Sequence, residues 1–377
     1  MSAESVSYPA DDGLVPRRGQ SPSREWDRWQ WQYAHRLTAP AQLEQVPWLT
    51  AREIGSISRV SRRYPVAIAP YFLSLIRPDD PEDPIRRQVI PDLEELTARP
   101  DEAQDPLQET EHTPVPGLVH RYPDRALLLL TNRCAVHCRH CTRKRQWQQA
   151  GWHMGPRELE QALVYLRGRP EIRDVLVSGG DPLILSDSRL DEVLGRIRRV
   201  PHVEIVRIGS RAPVVLPQRI TPALCRVLKR HGPIWLNTQF NHPGEITAES
   251  AAACERLLRA GVPVNNQTVL LKGINDDAET MKSLCRGLLR IRVRPYYLHQ
   301  CDPVEGAGHF RTPLQTGIRI LEEMQGRVSG LGIPKLMVDL PGKAGKVPLE
   351  PHYLLSMDAE GAVLRAHNGR IVEYRNP

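Results

Sequence analysis

Thr131-Asn-Arg-Cys134-Ala-Val-His-Cys138-Arg-His-Cys141-Thr-Arg143-Lys-Arg145 holds three of the chain's seven cysteines within eight residues, spaced C-x3-C-x2-C. The count of three carries the argument. Three thiolates can hold three corners of a 4Fe-4S cluster and leave its fourth iron without a protein ligand. An iron with an open position can bind a small molecule, much as an open position separates a catalytic zinc from a structural one. A zinc knuckle with His137 or His140 as fourth ligand is the competing reading. The other cysteines, Cys225, Cys254, Cys285 and Cys301, are isolated, so accidental clustering is the weakest account. Cys134, Cys138 and Cys141 are therefore expected to ligate an iron–sulfur cluster.

The cysteine loop follows an apolar run at 126–131, and the same pattern recurs along the chain. Further strand candidates lie at 174–178, 203–208, 234–240, 262–271 and 293–299. Amphipathic helical stretches at 156–167, 190–199, 222–230, 248–259 and 277–290 separate them. After a longer first interval the spacing is about thirty residues, the length of one βαβ unit. Six consecutive units predict an α/β fold, a partial (β/α)6 barrel of parallel strands. A doubly wound open sheet is the alternative, because sequence does not fix strand order.

Polar residues fall where such a barrel needs them. The second strand runs into Ser178-Gly179-Gly180-Asp181-Pro182, and Gly209-Ser210-Arg211 follows the third. The fourth ends in Thr238-Gln239-Phe240-Asn241-His242, the fifth contains Asn265-Asn266-Gln267, and the sixth ends in His299-Gln300-Cys301-Asp302. In a barrel these strand ends converge on one mouth, where active sites are built. One such residue alone is more often a loop cap; six sets in register point to a site.

Residues 1–23 are rich in Ser, Pro and charge without apolar period, and are expected to be disordered. Residues 24–110 read as an N-terminal helical extension broken by prolines, opening with Trp26, Trp29, Trp31 and Tyr33. Aromatics at this spacing are read as packing, and no chemistry is assigned there. The barrel is expected over 111–345, with 346–377 packing on it.

Composition excludes other classes. A chain of 377 residues can bury a large core. No run of eighteen apolar residues and no signal segment is present, so a cytoplasmic protein without membrane contact is expected. An odd cysteine count in a long chain does not read as a disulfide framework. The net charge is +7, but 44 of the 51 basic residues are Arg, dispersed among acids. No basic stripe with interleaved aromatics exists, so nucleic acid is not an expected partner. Arginines for phosphate and carboxylate groups explain the surplus.

The C-x3-C-x2-C spacing resembles the signature of radical S-adenosylmethionine (SAM) enzymes, whose open iron binds the amino and carboxylate groups of the methionine part. One strand later, Gly179-Gly180 is similar to the glycine-rich segment those enzymes set against the methionine amino group. Backbone without side chains can approach a ligand closely, although two glycines can also simply turn the chain. Asp181 either organises that segment or contacts ligand.

A narrower resemblance runs from about residue 80 to the C-terminus. Pro114-Val-Pro-Gly-Leu-Val-His-Arg-Tyr-Pro, Cys138-Arg-His-Cys-Thr-Arg143, Arg211-Ala-Pro-Val-Val-Leu-Pro217, Asn241-His-Pro243, Gln267-Thr-Val-Leu-Leu271 and Gly308-His-Phe-Arg-Thr-Pro313 resemble the lysine 2,3-aminomutase family. That family pairs SAM with pyridoxal 5'-phosphate (PLP). A PLP enzyme needs one amine to hold the cofactor covalently and release it to substrate. Pro341-Gly-Lys-Ala-Gly-Lys346 contains two of the chain's seven lysines and reads as a flexible loop. The family carries Pro-Gly-Gly-Gly-Gly-Lys there, which assigns the role to Lys346 and leaves Lys343 as an alternative. The resemblance also implies PLP contacts from Arg121, Tyr122 and Arg125, and a cofactor contact from Gln267 beside Gly179, Gly180 and Asp181.

For the substrate, the resemblance implies that Arg143 holds the carboxylate of a free amino acid. Asp302 and Asp339 match positions that hold the ε-ammonium of lysine. The implied activity is an isomerase reaction, exchange of the α-amino group and a β-hydrogen, giving β-lysine from L-lysine. Arginine is a rival substrate, since a guanidinium also suits carboxylates. A radical SAM enzyme without PLP and a zinc-binding scaffold are the other readings. Expected partners are an electron donor such as flavodoxin or ferredoxin and further copies of the chain in a homo-oligomer. Some family members carry extra cysteines near the C-terminus for a metal between subunits; no cysteine follows Cys301 here, so none is expected.

Overall fold

The computed structural model describes residues 25–149, 151–341 and 344–377; the segment 1–23 and Lys343 lie outside the described residues. Nine strands form one sheet in strict chain order. β1 (Leu118–Tyr122) runs antiparallel to β2 (Arg125–Leu129). β3 (Asp174–Ser178), β4 (Ile205–Gly209), β5 (Ile234–Thr238), β6 (Val264–Leu270), β7 (Arg294–Gln300) and β8 (Lys335–Leu340) continue from β2, all parallel. β9 (Gly345–Leu349) returns antiparallel to β8.

This order decides between the two expected architectures. A doubly wound sheet reverses its order at a switch point. Here each strand is added on the same side, and the sheet curls into a partial barrel. Its two edges meet: the Tyr122 hydroxyl accepts from the Lys346 backbone N–H at 3.2 Å, and Arg121 Nη1 lies 3.2 Å from Asp339 Oδ1.

Helices Pro156–Arg167, Asp187–Arg198, Pro222–Arg230, Ala248–Arg259 and Ala278–Arg290 link the strands. Their starts are set locally. Ser186, Thr221, Thr247 and Asp277 each accept from a first-turn backbone N–H, satisfying a donor the helix itself cannot. Their inner faces are apolar at helical spacing, as with buried Leu159, Ala162, Leu163 and Leu166. Each such Leu removed from water contributes about 1.5–3 kcal/mol.

Sequence reading stopped one unit early. Helix Leu314–Met324 leads into β8, a seventh parallel strand, and β9 follows it as a hairpin. β8 is partly solvated, with only Leu336 and Met337 buried, so its apolar period is weak. The stretch read as a flexible loop is partly strand: Gly345 and Lys346 belong to β9, and the expected domain boundary at 345/346 falls inside it.

The N-terminal region consists of short helices, several opened by proline as at Pro40, Pro70 and Pro84, where its fixed φ suits a first helical position. Trp26 is buried, and Trp29, Trp31 and Tyr33 pack on the core, which fits their reading as packing residues. A separate antiparallel sheet, β10 (Leu354–Met357), β11 (Gly361–Arg365) and β12 (Ile371–Arg375), ends the chain. It is tied to helix Leu314–Met324 by Arg365 Nη2, 2.5 Å from Glu322 Oε1. No helix among the described residues is long and apolar enough to cross a membrane.

Candidate active site

The C-terminal ends of the strands surround a cavity of about 320 Å³. Cys134, Cys138, Cys141, Arg143, Gly179, Gly180, Asp181, Gln267, Asp302, Asp339 and Lys346 all line it, so the barrel gathers residues more than two hundred positions apart.

The three thiols are partly exposed and unpaired. Burial first, and then the neighbouring thiols and Asp181, push Cys134 well above its ordinary value, and burial with Cys138 raises Cys141. Bare, Cys134 and Cys141 stay protonated; a bound metal centre reverses that balance by its own charge. Arg211 Nη1 lies 2.7 Å from Cys138 Sγ and the Arg143 backbone N–H lies 3.4 Å from Cys141 Sγ, donors suited to thiolate. Among the described residues no three His, Cys, Asp or Glu side chains converge as the shell of a single metal ion. A multi-iron cluster takes its thiolates on different irons, so it does not require the convergent shell of a single ion. Of the histidines of the zinc-knuckle reading, His140 lines the cavity with the thiols and His137 does not. His137 Nδ1 bonds the Pro65 carbonyl at 2.9 Å, and His140 Nε2 lies 2.9 Å from Gln239 Nε2.

The glycine pair belongs to the same loop system. Gly179 has φ +142°, and a Cβ there would lie 2.3 Å from the Thr131 carbonyl oxygen. A Cβ on Gly180 would lie 2.2 Å from the Arg133 carbonyl oxygen. The Gly180 and Asp181 N–H groups instead donate to these carbonyls, at 2.5 and 2.8 Å. The pair thus fastens the end of β3 to the cysteine loop. The Asp181 carboxylate accepts from Leu183 N–H, the Ser210 hydroxyl and Arg211 N–H at 3.0, 2.7 and 2.9 Å. These bonds tie the end of β3 to the Ser210–Arg211 segment, and Asp181 also lines the cavity.

Arg143 is held from behind by Glu109, with Nη2 to Oε1 at 2.6 Å and Nε to Oε2 at 2.9 Å, and its Nη1 donates to the Gly179 carbonyl at 3.2 Å. Burial would raise the Glu109 carboxyl, but Arg143 and Arg145 outweigh it and hold it at about 2. Opposite stand Asp302, Asp339 and Lys346. Lys346 Nζ lies 3.0 Å from Asp339 Oδ2 and 3.3 Å from His299 Nδ1. Burial, then Lys346, keeps His299 well below its ordinary value, so the ring is neutral and its Nδ1 accepts. Burial, then Asp339, raises Asp302 to about 7.

The residues expected to contact PLP cluster where β1 turns into β2, with Arg121 and Arg125 both against the Tyr122 ring. Tyr122 and Arg121 touch Lys346 and Asp339 directly. Arg125 opens β2, bonds Asp124 at 2.8 and 3.2 Å, and sets its guanidinium carbon 5.1 Å from the centroid of the Tyr122 ring; like Arg121 and Tyr122 it lies just outside the cavity lining. Sequence reasoning passed over Glu109, Arg211 and His299. Arg211 and His299 stood in quoted strand-end segments, whereas Glu109 carried no local signal.

The model of the Radical SAM superfamily matches residues 128–284, and that named Lysine-2,3-aminomutase matches 321–377. The cysteine loop, the curled parallel sheet and this match define a radical SAM enzyme. The chain is 48% identical to the L-lysine 2,3-aminomutase of Clostridium subterminale, over 94% of this chain and 85% of that one. It is 47% identical to a putative L-lysine 2,3-aminomutase of Aquifex aeolicus, over 94% and 96%. It is 42% identical to the glutamate 2,3-aminomutase of Clostridioides difficile, over 93% and 83%. The chain belongs to the lysine 2,3-aminomutase family.

Proposed function

We propose that this radical SAM aminomutase interconverts L-lysine and L-β-lysine, using a 4Fe-4S cluster, SAM and PLP. The observation that carries the reading is the presence of Asp302 and Asp339 in one cavity wall with Lys346, while Arg143 lines the same cavity. Bound there, the cluster and SAM supply a one-electron radical initiator, and PLP a covalent carrier for the migrating nitrogen.

The chain's own part is to bind, orient and keep water out. Cys134, Cys138 and Cys141 are the cluster ligands, and Gly179, Gly180 and Gln267 offer backbone and amide beside them. Lys346 is the amine for PLP, and Asp339 and His299 hold its Nζ in place. Arg121 and Tyr122 steady this corner. Arg143 receives the substrate carboxylate, and Asp302 and Asp339 receive the distal ammonium. Each charged hydrogen bond is worth roughly 1.5–3 kcal/mol. Two of them discriminate roughly hundredfold to ten-thousandfold against a neutral side chain. A distal carboxylate, as in glutamate, would meet two like charges.

The reading includes a cytoplasmic setting, a one-electron donor such as flavodoxin or ferredoxin, and a homo-oligomer. Exposed Leu354, Met357, Val372 and Tyr374 of the C-terminal sheet are apolar surface that a second copy would cover.

Anaerobic turnover with lysine, arginine and glutamate, with product identification, tests it. Preferred conversion of lysine to the 3-amino isomer is expected. Preference for arginine or glutamate, or SAM cleavage without amino migration, would overturn the assignment.

A further inference from the structure

Glu109, from the N-terminal region, reaches the cavity-lining Arg143 from outside the cavity. Its carboxylate grips the Nε–Nη2 edge of Arg143 and also receives Arg145 Nη2 at 3.1 Å. Asp105 fixes it in turn: Oδ1 accepts from the Glu109 backbone N–H at 3.1 Å and lies 3.1 Å from Arg145 Nη2. Oδ2 accepts from the Thr110 hydroxyl at 2.8 Å. Two carboxylates and two guanidiniums therefore form a closed, charge-balanced group behind one cavity-lining residue. Of the five N–H donors of Arg143, Glu109 and Gly179 occupy three, leaving one on each Nη.

We propose that Glu109 is a positioning residue for substrate binding: it fixes the far edge of Arg143 so that the remaining donors meet the substrate α-carboxylate. The inference rests on the reading of Arg143 as the carboxylate's partner. A free arginine side chain is rich in rotamers, and freezing one at binding weakens the complex. Glu109 does that freezing beforehand. It also keeps Arg143 paired while the site is empty, which a buried guanidinium requires. An opposing effect exists, since Glu109 and the substrate carboxylate are like charges. They bind adjacent edges of one cation, and Arg145 offsets the Glu109 charge, so positioning outweighs repulsion. The N-terminal region thereby acquires a chemical task.

The test uses the anaerobic holoenzyme with cluster, SAM and PLP loaded. Glu109→Gln keeps the shape and one acceptor but loses the charged two-point grip. KM and the spectroscopic Kd for L-lysine should rise about tenfold or more, with kcat within about threefold, and Glu109→Asp should recover part of the loss. Binding of 1,5-diaminopentane, which carries the distal cation and no carboxylate, should be unchanged. Equal weakening of both ligands would mean general collapse and overturn the proposal. Unchanged or tighter lysine binding would overturn it too. Arg143→Lys separates the two layers: if it leaves lysine KM untouched, the carboxylate role of Arg143 falls, and the task of Glu109 with it. If it raises KM while Glu109→Gln does not, only the inference about Glu109 falls.

Discussion

Asp339 and Lys346 are directly opposed in the β8–β9 ladder, and their side chains meet with Nζ 3.0 Å from Oδ2. The other carboxylate oxygen of Asp339 lies 3.2 Å from Arg121, so one acid answers cations from both edges of the curled sheet. A substrate ammonium reaching Asp339 would compete with Lys346 for it.

Removing the acid and removing the amine should therefore have different signatures. Lys346→Ala should abolish covalent capture of PLP, read by borohydride reduction and mass spectrometry of the labelled peptide. Asp302→Ala or Asp339→Ala leaves buried charge poorly paired, which costs about 3–5 kcal/mol. Lysine turnover should fall more than about a hundredfold, while the label on Lys346 persists. Label appearing on another lysine, or parent-like turnover in both acid variants, would contradict the assignment.

Asp302 should make substrate binding pH-dependent. Its carboxyl is held at about 7 by burial and by Asp339, above an unfolded value of about 3.9. The neutral acid is thus favoured in the fold, and its stabilising contribution is present below the unfolded value and lost as pH rises through about 7. Binding a distal ammonium has the opposite sign, because it needs the carboxylate. The lysine KM should fall as pH rises through that range, while the unfolding temperature drifts down. Asp302→Asn should flatten both profiles; two unchanged slopes would show that another group titrates.

Gly180→Ala should damage the cysteine loop. Its new Cβ meets backbone at Arg133 that has no rotamer to yield, and overpacking of this kind costs about 1–3 kcal/mol. Gly179→Ala adds backbone strain at φ +142° to a clash with Thr131. Gly168→Ala is the control, since its Cβ finds nothing nearer than 3.6 Å. Iron content after reconstitution should drop in the first two variants and hold in the third. Full iron loading in all three would show that the loop does not depend on this approach.

Cluster iron should depend on three cysteines out of seven. Cys134→Ala, Cys138→Ala and Cys141→Ala should each lose reductive SAM cleavage. Cys225, buried within helix Pro222–Arg230, should be replaceable by Ala with iron retained. Normal SAM cleavage by any motif variant is the result that would refute this ligand set.

What the sequence determined by itself was whatever is written in contiguous residues. The cluster ligands share one loop, so C-x3-C-x2-C shows them without a fold. Helices Pro156–Arg167, Pro222–Arg230 and Ala248–Arg259 fall at the bounds that periodicity and end residues predict, as does β3. The family resemblance added Arg143, Asp302, Asp339 and Lys346, which the cavity gathers. Tertiary structure alone decided the partners: Glu109 behind Arg143, His299 beside Lys346, and Arg121 against Asp339. Side chains alternate between faces along a strand, so whether a residue reaches the mouth depends on register and on which strand end it occupies. No local pattern records how far a sheet curls, and it is the curl that brings β1 against β9 and closes the site.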